Sequence, residues 1–219
     1  MRETITLDFV SDVVCPWCAI GLAGLLEAIQ RVDGEIDVEL HVKPFELNAD
    51  MPAEGEDLIE HLQRKYGSNA EDIAANHKRI HDFGEEVGFH FGGKRERIYN
   101  TFDCHRLLHW ATEQGRDLAL KQALLHAYFG VGSNISDPEV LLEITSSVGL
   151  DPVRTREILD SDAYASEVIE EEEFFTSHGI RAVPAVIING RQLISGAQSA
   201  DYYEQALRQV ATKAEPLPR

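Results

Sequence analysis

Basic residues are scarce in this chain of 219 residues, which carries 20 lysines and arginines against 38 aspartates and glutamates. The formal net charge of −18 argues against binding to nucleic acid or to anionic membrane surfaces, because both attract positive charge. The sequence also lacks an apolar run of the roughly 20 residues that a membrane-spanning helix needs. We therefore expect neither a nucleic-acid partner nor a membrane association.

Cysteine is scarce as well, since three cysteines in 219 residues do not make the disulfide framework of a secreted protein. No export signal is visible, because the first apolar residues alternate with Thr4, Thr6 and Asp8 instead of forming a continuous segment. Both observations lead us to expect a cytoplasmic protein. The length suits one large domain or a domain with an insertion, and the oligomeric state is left open.

The most informative motif is Cys15-Pro16-Trp17-Cys18. Alternating apolar residues over 5–10 predict a strand before it, and the apolar-rich residues 17–32 predict a helix after it. Two cysteines spaced in this way between a strand and a helix indicate a redox-active dithiol. Pro16 suits the first helical position, so Cys15 lies beside the free amides and the positive dipole end of the helix, where a thiolate is stabilised. Cys18 follows one turn later on the same side, so the two sulfurs can form and break a small disulfide.

Two other interpretations of the motif are weaker. A purely structural disulfide would close a very small loop and gain little from chain entropy. A zinc site needs about four ligands, but there is no second Cys-x-x-Cys, and the adjacent Cys104 and His105 would point in different directions on a helix. His77 with His81, and His105 with His109, have a spacing that can bind a metal. Neither pair belongs to a wider ligand pattern, so we predict no metal site.

The order of predicted elements indicates an α/β fold. Residues 5–42 have the pattern of strand, helix and strand. Residues 58–159 have helical patterns and no strand signal, whereas residues 162–210 return to helix, hairpin and helix. Asn189-Gly190 is a strong two-residue hairpin turn.

This order predicts a thioredoxin-like fold, a central mixed sheet flanked by helices, that is interrupted by an all-helical insertion. The thioredoxin-like domain would be discontinuous and comprise residues 1–50 and 161–214. The inserted helical domain would comprise residues 51–160, and residues 215–219 would be a disordered tail.

Three segments carry a resemblance to a known family. They are residues 10–18 with the dithiol, residues 100–107 (Asn-Thr-Phe-Asp-Cys-His-Arg-Leu), and residues 179–198, which contain Val183-Pro184. Over essentially its whole length the chain resembles the DsbA-like thioredoxin superfamily, and most closely its FrnE-like branch. The resemblance implies a protein thiol–disulfide oxidoreductase. The same superfamily includes hydroxychromene-carboxylate isomerases and kappa-class glutathione transferases.

The resemblance also implies roles for individual residues. Cys15 and Cys18 would be catalytic, and Pro184 would be a cis-proline against the dithiol that turns the Val183 backbone toward an extended substrate. The residues expected to contact substrate are Pro16, Trp17, Val183, Asn100 and His105.

Thioredoxin-like proteins can use a buried carboxylate behind the dithiol to take the proton of the second cysteine. Asp8 and Asp12 are the nearby candidates for such a proton relay, although Asp8 could equally be a solvated acid on its strand. Cys104 stands where relatives commonly carry alanine. It is either a small core residue or a third redox thiol.

We therefore predict a thiol–disulfide oxidoreductase that acts on protein or low-molecular-weight thiols and disulfides. It would need no cofactor beyond its redox-active Cys15–Cys18 disulfide, with glutathione as a conceivable co-substrate. One alternative is a glutathione-dependent isomerase or transferase of the two related kinds, and another is a peptide-binding, chaperone-like module. The related isomerases and transferases typically carry serine at the position of Cys15 and lack the second cysteine, so Cys18 counts against the first alternative. We expect the inserted helices to shape substrate choice rather than chemistry.

Overall fold

The structure is a computed structural model that describes residues 4–213. The helices are α1 (Pro16–Val32), α2 (Leu58–Tyr66), α3 (Ala70–Glu86), α4 (Phe102–Glu113), α5 (Asp117–Leu125), α6 (Pro138–Ser147), α7 (Pro152–Leu159), α8 (Ala165–Ser177) and α9 (Ala200–Lys213). The strands are β1 (Ile5–Ser11), β2 (Val38–Pro44), β3 (Glu56–Asp57), β4 (Arg97–Ile98), β5 (Ala185–Ile188) and β6 (Gln192–Ser195). The predicted tail, residues 215–219, lies outside the described residues. Within them, no helix is both long enough and apolar enough to cross a bilayer.

Four strands form one mixed sheet in the order β2-β1-β5-β6. β1 runs parallel to β2, with Ile5 opposite Val38, and α1 is the crossover between them. β5 is antiparallel to both β1 and β6. The predicted β-α-β unit and the hairpin at Asn189-Gly190 are therefore both present, and the dithiol lies where β1 passes into α1.

The insertion differs from the prediction in one respect, since it is mainly rather than wholly helical. β3 and β4 form a two-stranded antiparallel sheet in which Glu56 lies opposite Ile98. Strands of two residues are too short to produce an alternating pattern, so the sequence carries no signal for them. Within the residues predicted to be helical, α5 passes into a π-helical turn at His126–Val131.

Two glycines of α1 allow the helix to approach the chain around β5 and α9 closely. A β-carbon at Gly21 would lie 3.0 Å from the Pro184 ring, and one at Gly24 would lie 2.8 Å from the Gln198 carbonyl oxygen. Larger residues at these positions would push α1 away from its neighbours. The glycines therefore help to hold the start of α1, which carries the cysteines, close to Pro184.

Candidate active site

The two cysteines of the motif lie at the start of α1, as predicted. Cys15 is the N-cap residue in an extended conformation, and Pro16 occupies the first helical position. Cys18 donates its backbone N–H to the Cys15 carbonyl oxygen at 3.0 Å. Both cysteines are free thiols, and Cys18 is completely buried whereas Cys15 retains an exposed fraction of 5%.

The surroundings of the two sulfurs separate their acidities. The hydrogen bond from the Cys18 thiol lowers the pKa of Cys15 below its usual value, and the backbone amides of Cys18 and Trp17 act in the same direction. Burial raises the pKa of Cys18 well above its usual value, and donation to Cys15 raises it further. Of the two thiols, Cys15 is therefore the more acidic, and Cys18 is the one that burial keeps protonated.

The Val183–Pro184 segment lies directly against the dithiol. The Cys15 Sγ is 3.7 Å from the Val183 carbonyl oxygen, and the Val183–Pro184 peptide bond is cis. Val183 is half-buried and leads into β5, whose pairing with β1 fixes its position. The backbone of Val183 is thus close to the sulfur that would react with a substrate.

Behind the dithiol lies a buried pair of opposite charges, Asp12 and Lys121, both completely buried. The Lys121 Nζ donates to the Ser11 carbonyl oxygen at 3.2 Å, and the Asp12 Oδ2 accepts the Leu47 amide at 2.8 Å. Burial lowers the pKa of Lys121, while Cys18 and Asp12 oppose that effect as its two strongest charge partners. The Asp12 backbone hydrogen-bonds the Cys18 sulfur, so the charge pair adjoins the buried thiol.

His105 is the second side-chain partner of Asp12. Its Nε2 lies 3.4 Å from the Asp12 Oδ1, and the imidazole is only 1% exposed. Burial by itself raises the pKa of Asp12, but its hydrogen bonds to His105 and Leu47 and the nearby charges lower the pKa below its usual value. The prediction that His105 contacts substrate gains no support from this position, because the ring faces the interior.

Asn100 and Asp8 are the remaining predicted site residues, and their contacts are with other parts of the fold. Asn100 accepts the Phe102 amide and donates to the Met51 carbonyl oxygen, so it fastens the start of α4. Burial raises the pKa of Asp8, and its charged neighbours are Lys43, His41 and Glu171 instead of the dithiol. Of the two acids proposed for a proton relay, only Asp12 adjoins the cysteines.

Aromatic side chains from the insertion surround the exposed side of the motif. The half-buried Trp17 ring meets Phe83 edge-on at 5.7 Å, and the Arg79 guanidinium lies 5.1 Å from the Trp17 ring centre. Tyr66 is exposed, and burial together with the nearby Cys15 raises its pKa. Trp17 and Phe83 thus form an accessible aromatic contact next to the motif, and Tyr66 is close enough to Cys15 to be affected by its charge.

Three further groups near the dithiol were not predicted as functional. Lys121 is one, and Glu46 and Glu172 are the others; each of these glutamates has a buried oxygen without a hydrogen-bond partner among the described residues. Lys121 stands among Leu118, Leu120 and Leu124, and a lysine within such a leucine-rich helix was a usable signal, because lysine is rarely buried without a partner. Glu172 lies in the acidic run 170–173, so nothing in the sequence distinguishes it from an exposed acid, whereas Glu46 stands between Phe45 and Leu47.

The other titratable candidates do not form a further site. The Cys104 thiol is completely buried and donates to the Ile135 carbonyl oxygen at 3.2 Å, and burial raises its pKa. The rings of His77 and His81 lie 4.4 Å apart. Across residues 4–213, no three side chains of His, Cys, Asp or Glu come together as a metal site would require.

A mixed four-stranded sheet, an inserted helical region and a Cys-x-x-Cys at the start of α1 define a thioredoxin-fold protein with a split domain. Residues 6–208 match the DSBA-like thioredoxin domain. The chain therefore belongs to the DsbA-like thioredoxin family, in agreement with the resemblance to the FrnE-like branch.

The chain is also similar to three known proteins. The crystal structure of a probable DsbA oxidoreductase from Streptomyces coelicolor is 32% identical, with a TM-score of 0.89 and coverage of 98% of this chain and 93% of that one. The uncharacterized protein YwbO of Bacillus subtilis is 27% identical over 93% of this chain and 96% of its own length. The cytosolic disulfide reductase DsbM of Pseudomonas aeruginosa, solved with glutathione, shares the fold at 19% identity and a TM-score of 0.65, over 94% of this chain and 99% of its own.

Proposed function

We propose that this protein is a thiol–disulfide oxidoreductase whose Cys15 exchanges disulfides with protein or low-molecular-weight thiols. The observation that carries the proposal is the opposite shift of the two thiols, since the pKa of Cys15 is lowered and that of Cys18 is raised. Such a difference in pKa suits a pair in which the Cys15 sulfur attacks the substrate disulfide and the Cys18 sulfur then resolves the mixed disulfide.

The reaction proceeds in two exchange steps. The Cys15 thiolate attacks a substrate disulfide, forms a bond to one of its sulfurs and releases the other as a thiolate. Cys18 then loses its proton and attacks Cys15, which closes the Cys15–Cys18 disulfide and releases the reduced substrate. The protein dithiol is oxidised by two electrons and the substrate disulfide is reduced by two. The reverse sequence oxidises a substrate dithiol.

The proton of Cys18 needs an acceptor, and the Asp12 carboxylate is the nearby acid that we assign to this role. The Asp12 backbone hydrogen-bonds the Cys18 sulfur, Lys121 is a charge partner of that sulfur, and both residues are shielded from water. The ammonium group of Lys121 also stabilises the Cys18 thiolate while it forms, because charges interact strongly in a buried environment.

Substrates would bind beside Trp17, Phe83 and Tyr66, next to the backbone of Val183. An extended peptide could pair with that backbone as an added strand, and glutathione could serve as a small co-substrate. Pro16 contributes by holding the helix start, and Asn100 by fastening α4. The likeness to a protein described as a cytosolic reductase supports a cytoplasmic setting for the reaction.

The test is the turnover of a small disulfide and of a protein disulfide by the wild type, Cys15→Ser and Cys18→Ser. We expect Cys15→Ser to lose both activities and Cys18→Ser to accumulate a mixed disulfide at Cys15, detectable by mass spectrometry. Cys104→Ser is the matched control for loss of a buried thiol. Isomerase or transferase turnover with glutathione in Cys18→Ser would replace this proposal with the alternative enzyme class, and peptide binding without any exchange would favour the chaperone-like alternative.

A further inference from the structure

Arg79 on α3 holds a positive charge against the reactive motif. Its guanidinium carbon lies 5.1 Å from the centre of the Trp17 ring. Trp17 is itself tied to the reacting sulfur, because its backbone amide hydrogen-bonds Cys15. The side chain of Trp17 therefore connects the guanidinium of Arg79 with the sulfur at which a substrate would react.

The charge of Arg79 has no carboxylate partner among residues 4–213. The side chain is exposed, and its one hydrogen bond in this part of the chain runs from Nη2 to the Asn76 Oδ1 at 3.2 Å. Most of the five guanidinium N–H donors consequently have no partner there. Asp82, the acid closest to Arg79 along α3, pairs instead with Lys78 at 2.6 Å. Arg79 thus presents unused donors and an unneutralised charge beside the motif.

Lys65 is a second cation in this region, since it precedes Tyr66, but it is already engaged. Its Nζ donates to the Leu47 carbonyl oxygen and to the Asn48 Oδ1, each at 2.6 Å. The protein as a whole repels anions, with a formal net charge of −18. Salt screens that distant charge over about 10 Å at 0.1 M ionic strength, so a cation in direct contact decides which groups are attracted near Cys15.

We propose that Arg79 selects substrates that carry a carboxylate one residue away from the reacting cysteine. This inference rests on the proposed exchange reaction and deepens it. A guanidinium presents pairs of N–H donors that match the two oxygens of a carboxylate. Neighbouring residues of an extended substrate are only about 3.5 Å apart along the chain, so a carboxylate on the adjacent residue can reach Arg79 while the cysteine contacts Cys15. Acidic peptides and glutathione both provide this arrangement.

Peptide disulfides that differ only beside the cysteine test the selection. Blocked tetrapeptides with glutamate, glutamine or lysine next to the cysteine would oxidise the reduced protein in stopped flow at low ionic strength. We expect the wild type to react about fivefold faster with the glutamate peptide than with the glutamine peptide, which is the preference that one exposed ion pair supplies. Arg79→Gln should reduce this ratio to about one, and Arg79→Lys should keep most of it. Arg79→Glu should reverse the preference in favour of the lysine peptide.

Lys78→Gln is the matched control, because it removes the same charge from the next residue of α3, where Lys78 pairs with Asp82. This variant should keep the preference of the wild type. An equal decrease of the ratio in Lys78→Gln and Arg79→Gln would overturn the proposal, since the preference would then follow the total charge. An unchanged ratio in Arg79→Gln, with both peptides slowed alike, would overturn it too, because Arg79 would then only hold the Trp17 ring.

Glutathione disulfide and its diethyl glycyl ester form a second pair of substrates, which distinguishes the two sources of the carboxylate. An Arg79-dependent preference confined to the peptides supports the proposal with an acidic protein segment as substrate, and one confined to glutathione supports it with a low-molecular-weight thiol. No preference by the wild type in either pair would refute the selection. Exchange by the wild type with the glutamine peptide is measured first, and its absence would refute the proposed function instead.

Discussion

Two regions of the molecule meet at the dithiol and contribute different groups. The part predicted to be thioredoxin-like, residues 1–50 and 161–214, contains Cys15, Cys18, Asp12 and the Val183–Pro184 segment. The insertion supplies the buried Lys121 from α5 and the buried His105 from α4, together with the aromatic surface beside Trp17. In the proposed reaction, the sulfur chemistry and the contact with the substrate backbone would belong to the first region, whereas the second places the charged Lys121 side chain near Cys18.

This comparison argues against an insertion that only covers the dithiol. A buried ammonium group next to Cys18 affects the thiolate at short range, and the low dielectric of the interior strengthens that effect. Helices inserted into a thioredoxin-like fold can therefore tune its chemistry as well as its substrate choice. The predictions below distinguish residues of the insertion that maintain structure from those that act on the dithiol.

The largest effect on stability is expected for Arg106→Ala. The buried Arg106 side chain donates to the carbonyl oxygens of Ile158, Ser161 and Ala163, so its loss leaves buried acceptors unpaired. We expect a loss of about 3 kcal/mol in the free energy of unfolding, measured by urea denaturation. The rate of disulfide exchange per folded molecule should stay unchanged.

The control is Arg154, which pairs with Glu157 at 3.0 Å on the surface, and Arg154→Ala should lower the free energy of unfolding by only about 0.5 kcal/mol. Equal losses in the two variants would contradict this view of Arg106.

Lys121→Met should show that the insertion takes part in the chemistry. Methionine retains the apolar stem and removes the charge beside Cys18, which leaves the forming thiolate without its cation. We expect the Cys18 exchange step to slow by about tenfold at pH 7, measured by the decay of the mixed disulfide in stopped flow. Lys78→Met removes an exposed lysine paired with Asp82 and should have no effect. An unchanged rate in Lys121→Met would show that Lys121 takes no part in the exchange step and would leave only residues of the thioredoxin-like part as its participants.

Glu46→Gln should stabilise the protein in a pH-dependent way. Burial and the neighbouring Glu172 raise the pKa of Glu46 to about 8, and burial with Asp12 raises that of Glu172 to about 7. Between the ordinary pKa of 4.5 and these values the folded state holds protons that the unfolded state has lost, so stability falls as pH rises.

Urea denaturation at pH 5 and pH 8 measures this effect. We expect Glu46→Gln to gain roughly 1 kcal/mol at pH 8 and almost nothing at pH 5, because glutamine avoids the ionisation that the fold opposes. Glu143→Gln, at an exposed position on α6, is the control and should show no pH-dependent gain. A gain of equal size at both pH values would rule out ionisation of Glu46 as its cause.

The smallest effect is expected for Cys104→Ala. Its thiol is completely buried and donates to the Ile135 carbonyl oxygen, and burial keeps it protonated. We expect the rate of small-disulfide reduction to stay within about twofold of the wild type, since a protonated thiol is a poor nucleophile. A large loss would make Cys104 a member of the redox relay and would strengthen the chemical role of the insertion.

The dithiol, the β-α-β unit and the hairpin could be predicted because their signals are local. Pro16 at the helix start, alternation along β1 and Asn189-Gly190 each act within a few residues. Lys121 and His105 could not be placed in the same way. They lie 103 and 87 positions beyond Cys18 in the printed numbering, and only the packing of α4 and α5 against β2 brings them toward the dithiol.

The sequence by itself determined that Cys15 begins a helix and Cys18 follows one turn later, because helix geometry and the N-terminal amides depend only on neighbouring residues. The tertiary structure alone decided which charges surround these sulfurs. Asp12 lies in the loop between β1 and α1, whereas His105 and Lys121 come from α4 and α5, far along the chain. All three side chains are buried together with Cys18. Desolvation and close charge contacts depend on the assembled interior, so no short stretch of sequence encodes them.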